Sequence, residues 1–225
     1  MDKKHVSFPG RLVMIGCGSI GQGVLPLILR HIDMPKDNIV VVTAEDRGRD
    51  VGEFRTLVHP VIDRLSQAVG ETVHVWVRQG PLLRWVDGVA GPTPSHVATD
   101  RWDRVPAYAS AAGKALLSEL NGKQLEEVFA DGLPPARSSR ITSMQSLKRH
   151  LHAVRTRGYA LSIEESAQGV DGVAVCSKDA LGRPIFAISL AIPSSRFDRS
   201  KVADYVEALR YAVEQTEEAL GTSAS

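Results

Sequence analysis

The chain has 225 residues, of which 43% are hydrophobic, and a formal net charge of +1 from 27 basic and 26 acidic side chains. That length fits one large domain, or one medium domain with an appendage. The first 50 residues hold 7 basic and 6 acidic side chains and the remainder 20 of each, so neither part has the basic excess of a nucleic-acid-binding surface. Cys17 and Cys176 are the only cysteines, far apart and without a histidine cluster. No disulfide framework or metal site is expected, and a reducing cytoplasm fits. No apolar run reaches the ~18 residues of a membrane span, and no signal-peptide pattern is present.

Met1 to Gly10 is polar. Leu12 to Ile15 reads as a short strand running into GCGSIGQG, where Gly16, Gly18 and Gly21 have the spacing of a dinucleotide fingerprint. In that arrangement the first glycine permits a tight turn, the second lets backbone approach a pyrophosphate, and the third allows close helix–strand contact. A helix over about 20–31 and a second strand over 39–43 follow, and Glu45 or Asp46 stands where a ribose-binding acid is expected. The strand–helix–strand unit is not repeated after Asp50. A dinucleotide site needs two such halves, so a vestigial or fused segment competes with nucleotide binding here.

RGRDVG, residues 47–52, breaks the chain. Phe54, Val58, Val61, Leu65 and Val69 recur at helical spacing, with Leu57 and Ile62 widening the stripe and Gly70 ending it. Strands are expected over 72–77, 82–86 and 96–99, as an antiparallel meander, and 103–108 as irregular chain. Helices follow at 110–120, 124–130 and 144–157; Thr142 or Ser143 caps the last, and Gly158 closes it. Three strands come next, at about 159–163, 172–177 and 184–191. In the last two, bulky Val173, Val175, Phe186, Ile188 and Leu190 alternate with Ala174, Cys176, Ala187, Ser189 and Ala191. One face carries bulk; the other borders either a cavity or a closely packed helix. A final helix, capped by Asp198 or Ser200, has the stripe Val202, Val206, Leu209, Val213 and Leu220. This order describes an α/β domain around a largely antiparallel sheet, with the helices at 53–69 and 200–220 together on one face.

No catalytic arrangement emerges. Glu164 and Glu165 are neighbours that a strand would send to opposite sides. His150 and His152, two apart on a helix, share no face. His59, His74 and His96 belong to separate elements. The better candidate is a pocket. Ser110, Ala111, Ala112 and Gly113 open a helix whose free N–H groups can receive an anion, with Lys114 either assisting or facing solvent. Ser162, Val170, Gly172, Ser189 and Ala191 can supply the opposite wall. A small organic acid or similar metabolite suits such a site. The competing reading is that Ala-Ala-Gly only permits close helix–sheet packing.

GETVHVWV, AYASAAGKALLSEL, RTRGYALSIEESAQGVDGVAV and GRPIFAISLAIPSSRF stand in the order and spacing of a known family. Over about residues 51–221 the chain resembles the C-terminal effector-binding domain of the IclR family of bacterial transcriptional regulators. The resemblance implies a GAF-like or profilin-like fold, a non-enzymatic sensor role in the cytoplasm, and a homodimer or homotetramer. It also implies an effector cavity lined by Ala111 and Ala112 and walled by Ser162, Val170, Gly172, Ser189 and Ala191. Against the family's pattern, Ser162 replaces an acid, Gly172 a cysteine and Ala191 a serine, which leaves a roomier, more apolar site. The family's winged helix-turn-helix has no counterpart in residues 1–50, so specific binding of duplex DNA by this chain is not expected. Instead, MIGCGSIGQGVLPLILRHI and NIVVVTAED resemble the start of homospermidine synthase, an NAD-dependent enzyme with a Rossmann domain. That resemblance makes Gly16, Gly18, Gly21 and Glu45 candidate NAD contacts, and an NAD-binding enzyme fragment the alternative reading.

Overall fold

The computed structural model describes residues 6–7, 12–15, 32–33, 39–42, 50–93, 105–136, 138–179 and 181–220. Near the start, β1 (Val6–Ser7) pairs in parallel with β3 (Ile32–Asp33), and β2 (Leu12–Ile15) in parallel with β4 (Ile39–Val42). Parallel pairing of 12–15 with 39–42 is what a strand–helix–strand unit requires. The expected helix between them, the glycines at 16, 18 and 21, Glu45, and the expected strand at 96–99 lie outside the described residues.

After α1 (Asp50–Val69), the sheet runs through β5 (Thr72–Gln79), β6 (Leu82–Val89) and β7 (Val105–Pro106). Helices α2 (Ala111–Ser118), α3 (Gly122–Val128) and α4 (Met144–Arg157) intervene before β8 (Ala160–Ala167), β9 (Val170–Lys178) and β10 (Pro184–Pro193), and α5 (Val202–Leu220) closes the domain. The six strands from β5 to β10 form one antiparallel sheet in the order β7-β6-β5-β10-β9-β8. The stretch expected to be irregular, 103–108, instead contributes β7, which pairs with Leu82 and Leu83, and a 3-10 turn at Ala107–Ala109. Two residues of pairing leave too little periodicity for a sequence to show.

The alternation of side chains divides the sheet into two unlike faces. On one, Val73, Val75, Val173, Val175, Ile188 and Leu190 meet the stripes of α1 and α5, with Phe54 against Phe186 at 5.2 Å between ring centroids. Register keeps bulk opposite bulk: Val73 and Val173 both face Leu190, and Val75 and Val175 both face Ile188. On the other face, Trp76, Ala160, Ala174 and Ala187 pack against α2, α4 and the 3-10 turn.

Helix α2 is held at every turn. Ser110 caps it, its hydroxyl oxygen accepting from the Gly113 N–H at 3.1 Å. At the other end Arg155 of α4 donates to the carbonyls of Ser118 and Leu120, at 2.5 and 2.6 Å. A Cβ at Gly113 would sit 2.0 Å from the Ala107 carbonyl oxygen, so only glycine allows this approach. Helix α4 has the expected ends, a reciprocal Ser143–Ser146 capping pair and Gly158 at φ 76°.

Candidate functional site

Two rows of cross-strand neighbours on the small-residue face make the floor of a cavity. Ser162, Gly172 and Ala191 lie side by side on β8, β9 and β10. The adjacent row runs Ala160, Ala174, Ser189 and His74 and ends on Gly88 of β6. The first turn of α2 covers them. The cavity of about 40 Å³ is lined by Ala111, Ala112, Ser162, Val170, Gly172, Ser189 and Ala191, all expected from the sequence. Gly113 does not line it: that glycine serves the contact with Ala107, so close packing and an open cavity coexist along one turn of helix.

Polar groups concentrate at this cavity. The Ser162 hydroxyl is buried and has no hydrogen-bond partner among the described residues. The first N–H groups of α2, at Ala111 and Ala112, have no intrahelical acceptor, as at any helix start. Ser189 accepts from the Trp76 indole N–H at 3.1 Å, which leaves its own proton to donate. The Trp85 indole donates to His74 Nδ1 at 3.3 Å, and indole is only a donor, so neutral His74 carries its proton on Nε2. Burial pushes the His74 pKa down to about 4, because the imidazolium would lose its hydration. Gly88 makes room for that ring; a Cβ there would lie 2.8 Å from His74 Nδ1.

Six lining residues escaped the sequence reading: His74, Trp76, Val105, Ser166, Asp171 and Leu190. For His74 and Trp76 a signal existed, since both alternate with Val73, Val75 and Val77 along β5 and so occupy the opposite face. Asp171 and Leu190 border the cavity although the register places both on the bulky face, and Ser166 was not legible because it lies beyond an irregularity in β8. The β8–β9 register shifts between Ile163 and Ala167, and Glu164 takes φ 52°, left-handed backbone that an L side chain adopts at a cost. Asp171 Oδ1 accepts the Glu164 N–H at 3.0 Å, and Glu164 Oε1 accepts from the Gly169 N–H at 3.2 Å. The two glutamates are therefore not a simple alternating pair.

Lys114 is not among the lining residues and does not face solvent, which corrects the second of the two expectations. It is 3% exposed and bonds Glu165 Oε1 at 2.5 Å. Burial pushes its pKa down against the opposing pull of Glu165. His150 and His152 are exposed, and His59 bonds Asp87 on the far side of the domain, at 2.7 Å. Among the described residues no group of three or more His, Cys, Asp or Glu could hold a metal ion. No helix there is long and apolar enough to cross a membrane.

An antiparallel sheet with paired long helices on one face, and a small covered cavity on the other, defines a GAF-like or profilin-like ligand-sensing domain. The family model described as "Bacterial transcriptional regulator IclR C-terminal" matches residues 50–218, and the chain belongs to that family. A second model, the saccharopine dehydrogenase NADP binding domain, matches residues 12–61. The chain is 30% identical over 163 residues to the HTH-type transcriptional repressor AllR of Klebsiella pneumoniae, covering 72% of this chain and 60% of that protein. It is 31% identical over 151 residues to the acetate operon repressor of Salmonella typhimurium, covering 66% and 55%. It thus spans roughly three fifths of these regulators. Among solved structures, IclR of Thermotoga maritima aligns with a TM-score of 0.69 and 27% identity over 78% of this chain and 70% of that one. An IclR homolog from Microbacterium hydrocarbonoxydans, complexed with 4-hydroxybenzoate, shares the fold at a TM-score of 0.67 and 24% identity, over 79% and 72%.

Proposed function

We propose that the chain is the effector-sensing module of an IclR-type regulator, and that the cavity beneath α2 takes a small organic acid or a similar metabolite. The observation that carries this reading is the Ser162 hydroxyl, 1% exposed and without a partner among the described residues, beside the open N–H groups of a helix start. An unmet buried polar group costs about 1–3 kcal/mol. An acceptor-bearing ligand would remove that cost and place its negative charge at the positive end of α2. The curated relatives are named as repressors, which supports regulation rather than chemistry as the outcome of binding.

Calorimetry of the purified chain against a panel of small carboxylates and NAD(H) tests the reading. Gly172→Ala puts a methyl 3.3 Å from the Ala111 Cβ and 3.7 Å from the Ser162 Cβ, so it fills the cavity without demanding a new backbone conformation. The expected result is saturable binding of a small acid, weakened on the order of tenfold or more by Gly172→Ala. Carboxylate binding that Gly172→Ala leaves untouched overturns the assignment, as does a panel in which nothing binds. The alternative, an NAD-binding fragment of an enzyme, draws support from the parallel β2–β4 pair and the match over 12–61. It is the weaker reading, since the regulator model accounts for 50–218.

A further inference from the structure

We infer that Trp76 is a positioning residue of the cavity: its indole N–H holds the Ser189 hydroxyl so that Ser189 donates its proton to the ligand, and the wall thereby favours an ionised carboxylate over the carboxamide of the same shape. This role rests on the proposed function and specifies how that same site recognises the head group of its ligand.

Strand register places the two side chains. Trp76 of β5 stands opposite Ala187 of β10, and Ser189 follows two residues along on the same face. A diagonal pair of this kind is within reach of an aromatic side chain, and Ala187 has only a methyl to put in the way. The indole Nε1 lies 3.1 Å from Ser189 Oγ, and both residues are buried and line the cavity.

The direction of that bond is fixed, since an indole N–H can only donate. It occupies one lone pair of Ser189 Oγ and turns the hydroxyl proton away from the ring. No acceptor for that proton is present among the described residues. The Ser162 hydroxyl, in the adjacent row of the sheet, likewise has no acceptor among them. Together with the first N–H groups of α2, the two serines give the cavity a set of donors. A carboxylate accepts through both oxygens. A carboxamide replaces one oxygen with a donor, and Ser189 is hindered from turning to accept it while Trp76 holds the hydroxyl. Released from the indole, the hydroxyl can serve either ligand.

Acetate and acetamide share a shape and differ only at the head group. A cavity of about 40 Å³ holds roughly three waters by the 10–15 Å³ that one needs, which suits ligands of this size. In proton–nitrogen NMR spectra of isotope-labelled chain, the amides of Ala111 and Ala112 report occupancy and the Trp76 indole reports the bond to Ser189. Acetate should bind saturably, on the order of tenfold tighter than acetamide. Ser189→Ala should move the Trp76 indole resonance of the ligand-free chain, which checks the bond without any ligand. Trp76→Phe and Ser189→Ala should each weaken acetate by a similar factor and bring the acetate-to-acetamide ratio towards one. The double variant should lose no more than Ser189→Ala alone. A tryptophan that only filled space would add its own loss and weaken acid and amide alike. Preserved spectral dispersion checks that each variant is folded.

Additive losses, an unmoved indole resonance, or acetamide binding as tightly as acetate each overturn the inference. If acetate binds and Gly172→Ala removes it while the losses add, the inference fails and the proposed function stands. Acetate that does not bind also overturns the inference, and the proposed function then stands or falls on the wider carboxylate panel.

Discussion

The two faces of the antiparallel sheet are built from the same strands yet do different work. Beneath α1 and α5 most inward positions carry Val, Ile, Leu or Phe, and the polar exceptions Asp87 and Ser177 are bonded to His59 and Glu217 of those helices. Beneath α2, the positions one residue along carry Ala, Gly and Ser, with His74 and Trp76 among them, and space remains. The comparison shows how one period-2 pattern builds stability and a binding site together. Burial on the first face supplies the free energy that lets the second hold an unsatisfied hydroxyl and a void.

If that division holds, the largest loss of stability comes from the filled face. Leu209 is fully buried in α5, and Leu209→Ala should cost about 2–5 kcal/mol in urea denaturation, leaving ligand affinity of the folded fraction unaltered. A loss under 1 kcal/mol would mean that this face is not the stabilising one.

A second effect belongs to the cavity face and depends on pH. Unfolded chain binds a proton on His74 below about pH 6.5, whereas folded chain does so only below about pH 4. Stability from this group is therefore fully present above pH 6.5 and is lost as pH falls from 6.5 to 4, by roughly 3 kcal/mol in all. His74→Gln should flatten that part of the stability profile relative to the wild type. Parallel profiles would show that His74 is not the buried neutral group described here.

The smallest effect concerns Cys176, at the margin of the same face. Burial, reinforced by Glu119, pushes its thiol up to about 12. Alkylation by iodoacetamide at pH 8 should be far slower in native chain than in urea, since the thiolate is the reactive form. Equal rates would show that this face is looser than the geometry implies.

Much of this architecture was legible in the chain. The stripe from Phe54 to Val69 and that from Val202 to Leu220 are helical and buried, and they do lie together on the bulky face. Ser143, Gly158 and Asp198 sit at the ends their chemistry suits. Seven of the eight residues expected to line a pocket come together, because strict alternation sends Ser162, Gly172, Ser189 and Ala191 to one side once the strands pair antiparallel.

Local pattern determined the elements, the two faces and the small residues of the cavity, since helix and strand periods are properties of neighbouring residues. Tertiary structure decided what those residues could not. It placed Gly113 against Ala107, tied Lys114 to Glu165, and bonded the Asp171 carboxylate to the backbone of a left-handed Glu164. It also set His74 beside Trp85, in the space that Gly88 leaves. Each of these depends on groups brought together by strand register and helix placement, and a period read along the chain carries no information about such distances.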